Sequence, residues 1–259
     1  MMTKEKFDGL VEDYDLYRPR YPQALMAIIR DALPERDSLN IADVGAGTGI
    51  ALEGLMPILG NQHRYYAVDI SADMIAQGRR KFPNVDWRLG KAEEVIPTLP
   101  ELDLILAAQS FQWMDRPQML AATRQALSSD GVFAVIQNNR HYQNSPFLDG
   151  YEGLLETCSP GYSRHYRSFD FQGEIADAFT RPREAVAFHS HHWTMSIPAS
   201  AFVGMSRSST QAQRALAEDE TRFLQRLDAL LNQYMQDGNI ELSYESQLFL
   251  VGAGESRKA

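Results

Sequence analysis

The sequence predicts an α/β fold: a mostly parallel sheet with helices on both faces. Three observations carry that expectation. Strand-like and helix-like segments alternate from Leu39 to Gln137, a pattern that buries parallel strands between helical layers. An apolar strand runs into the glycine-rich turn Asp43-Val44-Gly45-Ala46-Gly47-Thr48-Gly49, and a helix-compatible stretch follows. A second strand-like segment ends on an acid, Asp69, twenty residues past Gly49. Open α/β sheets bind nucleosides at such strand ends.

Residues 1–37 read as mostly helical, with Tyr21-Pro22 opening the apolar stretch Ala24-Leu25-Met26-Ala27-Ile28-Ile29. Strands are expected over Leu39–Val44, Arg64–Asp69, Val85–Leu89, Leu102–Ala107 and Val132–Gln137. Helices are expected over Gly49–Leu59, Ser71–Lys81 and Pro117–Leu127. Ser71 suits an N-cap and Pro83 follows its helix. Pro117 suits a first helical position, and Ser129-Asp130-Gly131 reads as a turn. Residues 138–182 read as irregular and aromatic-rich, with Tyr142, Phe147, Tyr151, Tyr162, Tyr166, Phe169, Phe171 and Phe179. A strand-like stretch Ala185–Ser196, a long helix Ala212–Met235 and a final alternating strand Ile240–Val251 complete the chain. Neither repeats nor a flexible linker interrupt it, so one domain is expected over 1–259.

Glycine lacks the Cβ that holds backbone away from a ligand, so the turn can press main-chain amides against a nucleoside. Its spacing is Gly-x-Gly-x-Gly, one residue shorter than the dinucleotide fingerprint, whose sixth position here is Ile50. Asp69 can accept from both ribose hydroxyls; the alternative is a cap for the helix near Ser71. After the third strand, Gly90 permits a tight turn, the Ala92 amide can meet an adenine nitrogen and Glu93 can accept from the exocyclic amine. Glu93 and Glu94 also read as a solvated acidic pair. After the fourth strand, Gln109-Ser110-Phe111-Gln112-Trp113 places two neutral amides among aromatics, facing the cleft.

With these residues in view, the chain resembles the class I S-adenosylmethionine (SAM)-dependent methyltransferases, in particular the small-molecule type 11 group that includes trans-aconitate methyltransferase-like enzymes. Besides the glycine turn, Tyr14-Asp15-Leu16-Tyr17-Arg18-Pro19-Arg20-Tyr21-Pro22 is similar to their Tyr-x-x-x-Arg-Pro-x-Tyr-Pro signature, and Gln109 to Asp115 to their aromatic motif after strand four. The resemblance implies a Rossmann-like seven-stranded sheet, its last strand antiparallel. SAM would lie over Gly45, Ala46, Gly47 and Gly49, with its ribose on Asp69 and adenine beside Ile70, Met74, Ala92 and Glu93. The methionine end would approach Gln109, with Tyr14 and Arg18 closing over it, and S-adenosylhomocysteine would be the product. Arg18 reads equally as a helix cap or a bridge to an acid; Leu16 and Tyr17 read as lid packing. The parts are then a helical lid (1–37), a SAM-binding core (38–138), an inserted aromatic-rich substrate cap (139–183) and C-terminal strands and helices (184–259).

Methyl transfer from a sulfonium is an in-line displacement that needs no triad, and a base only if the acceptor loses a proton. His141, which follows the fifth strand, His165 in the aromatic segment and Gln112 are the catalytic candidates. Trp113, Tyr166 and Arg167 are those for substrate contact, since an Arg there can hold a carboxylate. His189, His191 and Trp193 share one strand face, and His192 and Thr194 the other; such alternation reads as surface or packing, and no metal is expected.

Composition bounds the partners. The net charge is −9 without a densely basic stretch, which argues against nucleic acid and anionic membranes. An Asn/Asp-Pro-Pro-Tyr sequence of base-modifying enzymes is missing after the fourth strand. Cys158 stands alone, so no internal disulfide forms, consistent with a reducing compartment. The start lacks a signal-peptide core and no apolar run is long enough to span a bilayer. A cytoplasmic enzyme acting on a small molecule is expected, as monomer or homodimer. The alternative is a SAM-binding protein of another class, either a SAM-modifying enzyme or a non-catalytic partner.

Overall fold

The computed structural model describes residues 18–165 and 168–254. Its strands are β1 (Asn40–Val44), β2 (Arg64–Asp69), β3 (Asp86–Leu89), β4 (Leu102–Ala108), β5 (Leu127–Arg140), β6 (Ala187–Pro198) and β7 (Asn239–Gly252). They form one sheet in the order β3-β2-β1-β4-β5-β7-β6. β1 to β5 run parallel. Only β7 is antiparallel, to both β5 and β6, as the resemblance implies. Strand order reverses between β1 and β4, which opens a crevice beyond their carboxyl ends.

The helices are α1 (Gln23–Asp31), α2 (Ile50–Leu59), α3 (Ala72–Lys81), α4 (Ala92–Val95), α5 (Arg116–Ala126), α6 (Pro146–Cys158), α7 (Phe171–Ala178), α8 (Ala199–Arg207) and α9 (Thr210–Tyr234). Local chemistry starts them where the sequence says. Ser71 accepts the Met74 N–H at the head of α3, Asp115 accepts the Gln118 N–H at 3.2 Å at the head of α5, and Ser145 caps α6, with Pro146 behind it. Each such cap contributes on the order of 1 kcal/mol.

Alternation along the strands divides the core. One sheet face buries Ile41, Leu104, Leu106, Ile136 and Leu248 against Met26, Ile29, Leu52, Leu55 and Ile75 of α1 to α3. The other buries Val68, Ile105, Phe133, Val135 and Phe249 against α5 and α7. A third cluster joins α6, α8 and α9 over Ile240, Leu242 and Tyr244 of β7. Tyr244 and Leu248 share strand parity, so this third cluster lies on the same face as the first. A cleft opens where those two clusters meet.

Three expectations need correction. Residues 138–182 are not irregular. Phe147, Leu148, Tyr151, Leu154 and Leu155 recur at helical spacing and are buried along α6, as are Phe171, Ile175 and Ala176 along α7. Ser129-Asp130-Gly131 is not a turn into the strand but lies within β5, where the register slips between Leu102 and Leu104. Buried Asp103 holds that irregular stretch, accepting from Ser128 Oγ and from the Asn40 N–H. The long helix starts earlier, breaks at Asp219, and is preceded by the separate α8. Among the described residues no helix is long and apolar enough to cross a membrane.

Candidate functional site

The turn after β1 is shaped by three left-handed glycines: Gly45, Gly47 and Gly49 have φ of +65°, +56° and +85°. Gly45 and Ala46 donate their N–H groups to Val68 O, at 2.8 and 3.0 Å. Gly47 N–H donates to Asp69 Oδ2 and Ser71 N–H to Asp69 Oδ1, both at 2.8 Å. Asp69 therefore braces the glycine turn and caps the entry to α3, and each of its oxygens keeps a lone pair for a further donor. The glycines are needed for packing as well as for ligand approach. A Cβ on Gly45 would stand 2.4 Å from Ser110 Cβ, and one on Gly49 would meet the Phe82 ring at 2.9 Å. Ser110 itself is fixed by donating to Val44 O at 2.6 Å.

Asp43, at the foot of this turn, is only 1 % exposed, and neither carboxylate oxygen has a hydrogen-bond partner among the described residues. Burial, reinforced by the charge of Asp69, pushes its carboxyl up to about 8. Burial raises Asp69 as well, against the opposing pull of the Ser71, Gly47 and Ile70 amides. An unsatisfied buried carboxylate costs free energy until a donor arrives. Asp43 was not among the site residues expected from sequence. Its signal is an acid inside an otherwise apolar strand just before the glycine turn, Ile41-Ala42-Asp43-Val44.

Next along the sheet edge, Gly90 N–H donates to Asp69 O at 2.9 Å, which sets the β3 turn beside Asp69. Ile70 and Glu93 are half-buried there, Met74 and Ala92 are buried, and Leu89 is 56 % exposed. At the end of β4, Gln109 adopts a positive φ of +55°, a conformation that costs a non-glycine residue on the order of 1 kcal/mol. The surroundings enforce it: Gln109 N–H donates to Ile136 O at 2.8 Å, and its Oε1 accepts the Asn138 N–H at 2.6 Å. A relay continues outward, Trp193 Nε1–H to Ser246 Oγ at 2.8 Å and Ser246 Oγ–H to Asn138 Oδ1 at 2.5 Å.

The entry segment 18–22 is stitched over this edge. Arg20 forms a two-pronged ion pair with Glu53 at 2.7 and 3.2 Å, and Asn138 Nδ2 reaches the Pro19 and Arg20 carbonyls. Arg18 donates to the Ser208 carbonyl at 3.2 Å, at the carboxyl end of α8, which is the helix-cap contact, while also lining the cleft.

The far wall of the cleft is built from Arg140, Tyr151, Phe202, Ser206, Ser209 and Tyr244. Arg140 Nε donates to Glu152 Oε1 at 2.6 Å, and the Tyr162 hydroxyl donates to Glu152 Oε2. The Arg140 cation sits 5.2 Å from the centre of the Tyr151 ring, and the Tyr151 hydroxyl pairs with Ser206 Oγ at 2.7 Å. Burial works to lower the guanidinium, but Glu152 and the nearby phenols hold it well above its ordinary value.

Strand alternation corrects the placement of His141. Asn138 and Arg140 face the cleft, so His141, like Asn139 and Gln137, projects from the opposite face. Its ring lies 4.7 Å from that of His192, which in turn is 3.9 Å from Glu245. His165 is exposed beside Glu156 on the outside of α6. Gln112 ties its amide to Gln109 O at 3.1 Å, and Trp113 is half-buried in the short turn Phe111–Trp113. None of these four lines the cleft. Tyr14, Leu16, Tyr17, Tyr166 and Arg167 lie outside the described residues. Among the described residues no three His, Cys, Asp or Glu side chains gather as a metal site.

Comparison with known proteins finds a family match over the glycine-turn core and a structural likeness over most of the chain. Residues 41–131 match the family described as Methyltransferase domain. Over 160 residues the chain is 29 % identical to an uncharacterized methyltransferase of Schizosaccharomyces pombe, covering 62 % of each protein. Over 135 residues it is 29 % identical to the trans-aconitate 2-methyltransferase of Deinococcus radiodurans, covering 51 % of each. The chain therefore spans about half to three-fifths of the length of these relatives. A solved structure described as a type II methyltransferase, from Anaeromyxobacter dehalogenans, shares the fold with a TM-score of 0.66 at 22 % identity, over 92 % of this chain and 99 % of that one.

Proposed function

We propose, on the premise that this chain carries a methyltransferase domain of the SAM-dependent class, that it transfers the SAM methyl group to a small-molecule acceptor and releases S-adenosylhomocysteine. The observation that carries the reading is the carboxylate pair around the glycine turn. Asp43 is buried without a donor, and Asp69 is held at the turn by two amides. This donor-poor cradle fits a ligand that brings hydroxyls and an ammonium group. Asp69 would take the ribose hydroxyls, Asp43 the ammonium end, and the edge formed by Ile70, Ala92 and Glu93 the adenine, with Met74 supporting it from beneath. Gln109 and Arg18 border the methionine end.

Bound SAM supplies an electrophilic methyl whose thioether leaves without a proton. The chain contributes position: Gln109 is locked by three hydrogen bonds, and Asn138 ties the entry segment over the crevice. Well-aligned reactants gain roughly 7–11 kcal/mol from such preorganisation. We read 38–138 as the cofactor core, 1–37 as its lid and 139–183 with 184–259 as the acceptor side. Tyr151 supports the cover role of 139–183, whereas Phe171 and Phe179 are spent on the opposite sheet face. A cytoplasmic setting belongs to the same reading, supported by the single cysteine.

The test is calorimetric titration with S-adenosylhomocysteine. The wild-type protein is expected to bind it and folded Gly47→Val is not, because a branched side chain at φ +56° distorts the turn. A wild-type protein that takes up none overturns the reading.

A further inference from the structure

We propose that the outer edge of β6 is the interface of a symmetric dimer, in which the β6 strands of two copies of this chain pair antiparallel about His192 and join their sheets into one. β6 is the last strand of the sheet, and its register with β7 settles which main-chain groups face outward. Ala199 N–H donates to Gly238 O at 3.0 Å, one step beyond the pair Pro198 and Asn239. Hydrogen-bonded pairs alternate along an antiparallel ladder. The odd residues of β6 therefore bond to β7, and the even ones turn their N–H and C=O groups away from it. The β5 side agrees: His141 N–H donates to Ser243 O at 2.9 Å, which leaves Tyr244 and the other even residues of β7 for β6. Phe188, Ser190, His192, Thr194 and Ser196 thus present a row of main-chain donors and acceptors that pairs with no other strand among the described residues.

Proteins blunt such an edge with charge, proline or brevity, and the opposite edge of this sheet is blunted. β3 has four residues and carries the Asp86–Arg88 ion pair at 2.7 Å. β6 has twelve residues, none of them Asp, Glu, Lys or Arg, in a chain of net charge −9. Two copies can meet there without opposing like charges. The outward row is also its own complement. About His192, Ser190 stands opposite the partner's Thr194 and Phe188 opposite the partner's Ser196, a ladder of about ten main-chain hydrogen bonds. Pro198, which has no N–H to give, stays outside it. On the cleft-side face the same register sets Trp193 against the partner's His191 and Met195 against the partner's His189, cross-strand pairs of the kind that stabilise sheets. Phe188, 46 % exposed in one copy, gains the partner's Pro198 as a diagonal neighbour. Trp193, Met195 and Ile197 also floor a groove of about 800 Å³ beside residues 18–24, so apolar surface flanks the ladder.

The experiment is sedimentation velocity on the full chain over a range of concentrations at pH 8, where histidine is neutral. A species of twice the chain mass is expected. The His192 side chain is 56 % exposed, so His192→Lys should fold, which circular dichroism checks. It places two ammonium groups opposite each other on the symmetry axis, and the dimer dissociation constant should rise by roughly tenfold or more. Register is read separately, after the only native cysteine is removed by Cys158→Ser. In that background His192→Cys sets two thiols across a hydrogen-bonded pair whose Cα atoms are about 5.5 Å apart, and a short bifunctional thiol reagent should link the copies. Ser196→Cys sets its two thiols about 27 Å apart along the ladder, at about 3.4 Å per residue, and should give no link. A single-chain mass at every concentration, a dimer unmoved by folded His192→Lys, or linkage at position 196 and not at 192 overturns the proposal. So does a different protein found paired to this edge in place of a second copy.

Discussion

The two halves of the cleft are built by different means. The glycine-turn side comes from one stretch of sequence: Gly45, Gly90 and Gln109 each start the turn after a strand, Asp69 ends β2, and Asp43 is the penultimate residue of β1. The opposite wall is assembled from distant segments: Arg140 ends β5, Tyr151 is on α6, Ser206 on α8 and Tyr244 on β7. Its central ion pair is nearly out of solvent, with the Glu152 side chain 4 % exposed. One side is specified by backbone conformation and the other by packing of helices against an antiparallel edge. Disruption on the two sides should therefore read out differently, as lost binding on the first and lost stability on the second.

The largest expected effect tests the second side. Arg140→Ala leaves Glu152 buried without its cation, which costs about 3–5 kcal/mol. Denaturant midpoints should fall accordingly, and Arg140→Lys should recover most of the loss. A midpoint unchanged in Arg140→Ala removes the claim that packing around this pair organises the far wall of the cleft.

A dependence on pH, on the order of a few kcal/mol, should mark the first side. The Asp43 carboxyl is raised from 3.8 to about 8 in the folded protein. Between those values the folded state holds a proton that the unfolded state has released. The stabilisation is therefore complete below about pH 4 and is lost as pH rises through about 8. Asp43→Asn, which mimics the protonated acid, should flatten this slope in melts recorded across pH. Parallel slopes for both proteins discard the unpartnered state of Asp43. On the same side, Asp69→Ala removes the acceptor for Gly47 N–H and the proposed ribose clamp. Affinity for S-adenosylhomocysteine should drop by about 2 kcal/mol, while the midpoint moves less than in Arg140→Ala. Equal affinity refutes the clamp.

The contrast also explains what could be read before any coordinates. The five parallel strands, the helices after β1, β2 and β4 and the glycine turn follow from local signals: alternation, the Ser71 cap, Pro117 in a first helical turn, and glycines where φ must be positive. The far wall of the cleft has no such signature. Residues 138–182 stand out in sequence for aromatic content, whereas the signal that matters is the helical spacing of Phe147, Tyr151 and Leu154 after Ser145-Pro146. Phe171 and Phe179, which suggested an aromatic cover, fill the far face of the sheet beside Phe133 and Phe249. Ser206 becomes a neighbour of the cleft only through its contact with Tyr151, 55 residues away.

The finest division falls between adjacent residues at the end of β5. Arg140 and His141 differ by one position, and strand geometry sends them to opposite faces. Histidine is the ordinary choice for a base near neutrality, so residue type alone favours His141. Register favours Arg140, because Asn138, two residues earlier, already bonds to Gln109 and Ser246 inside the cleft. His141 instead donates its backbone N–H to Ser243 O at 2.9 Å and rests its ring on His192. His141→Ala should therefore leave methyl transfer within about twofold of wild type and stability within about 0.5 kcal/mol, as for most surface changes. A large fall in kcat with an intact fold would return a base to the reaction and, with it, an acceptor that must lose a proton.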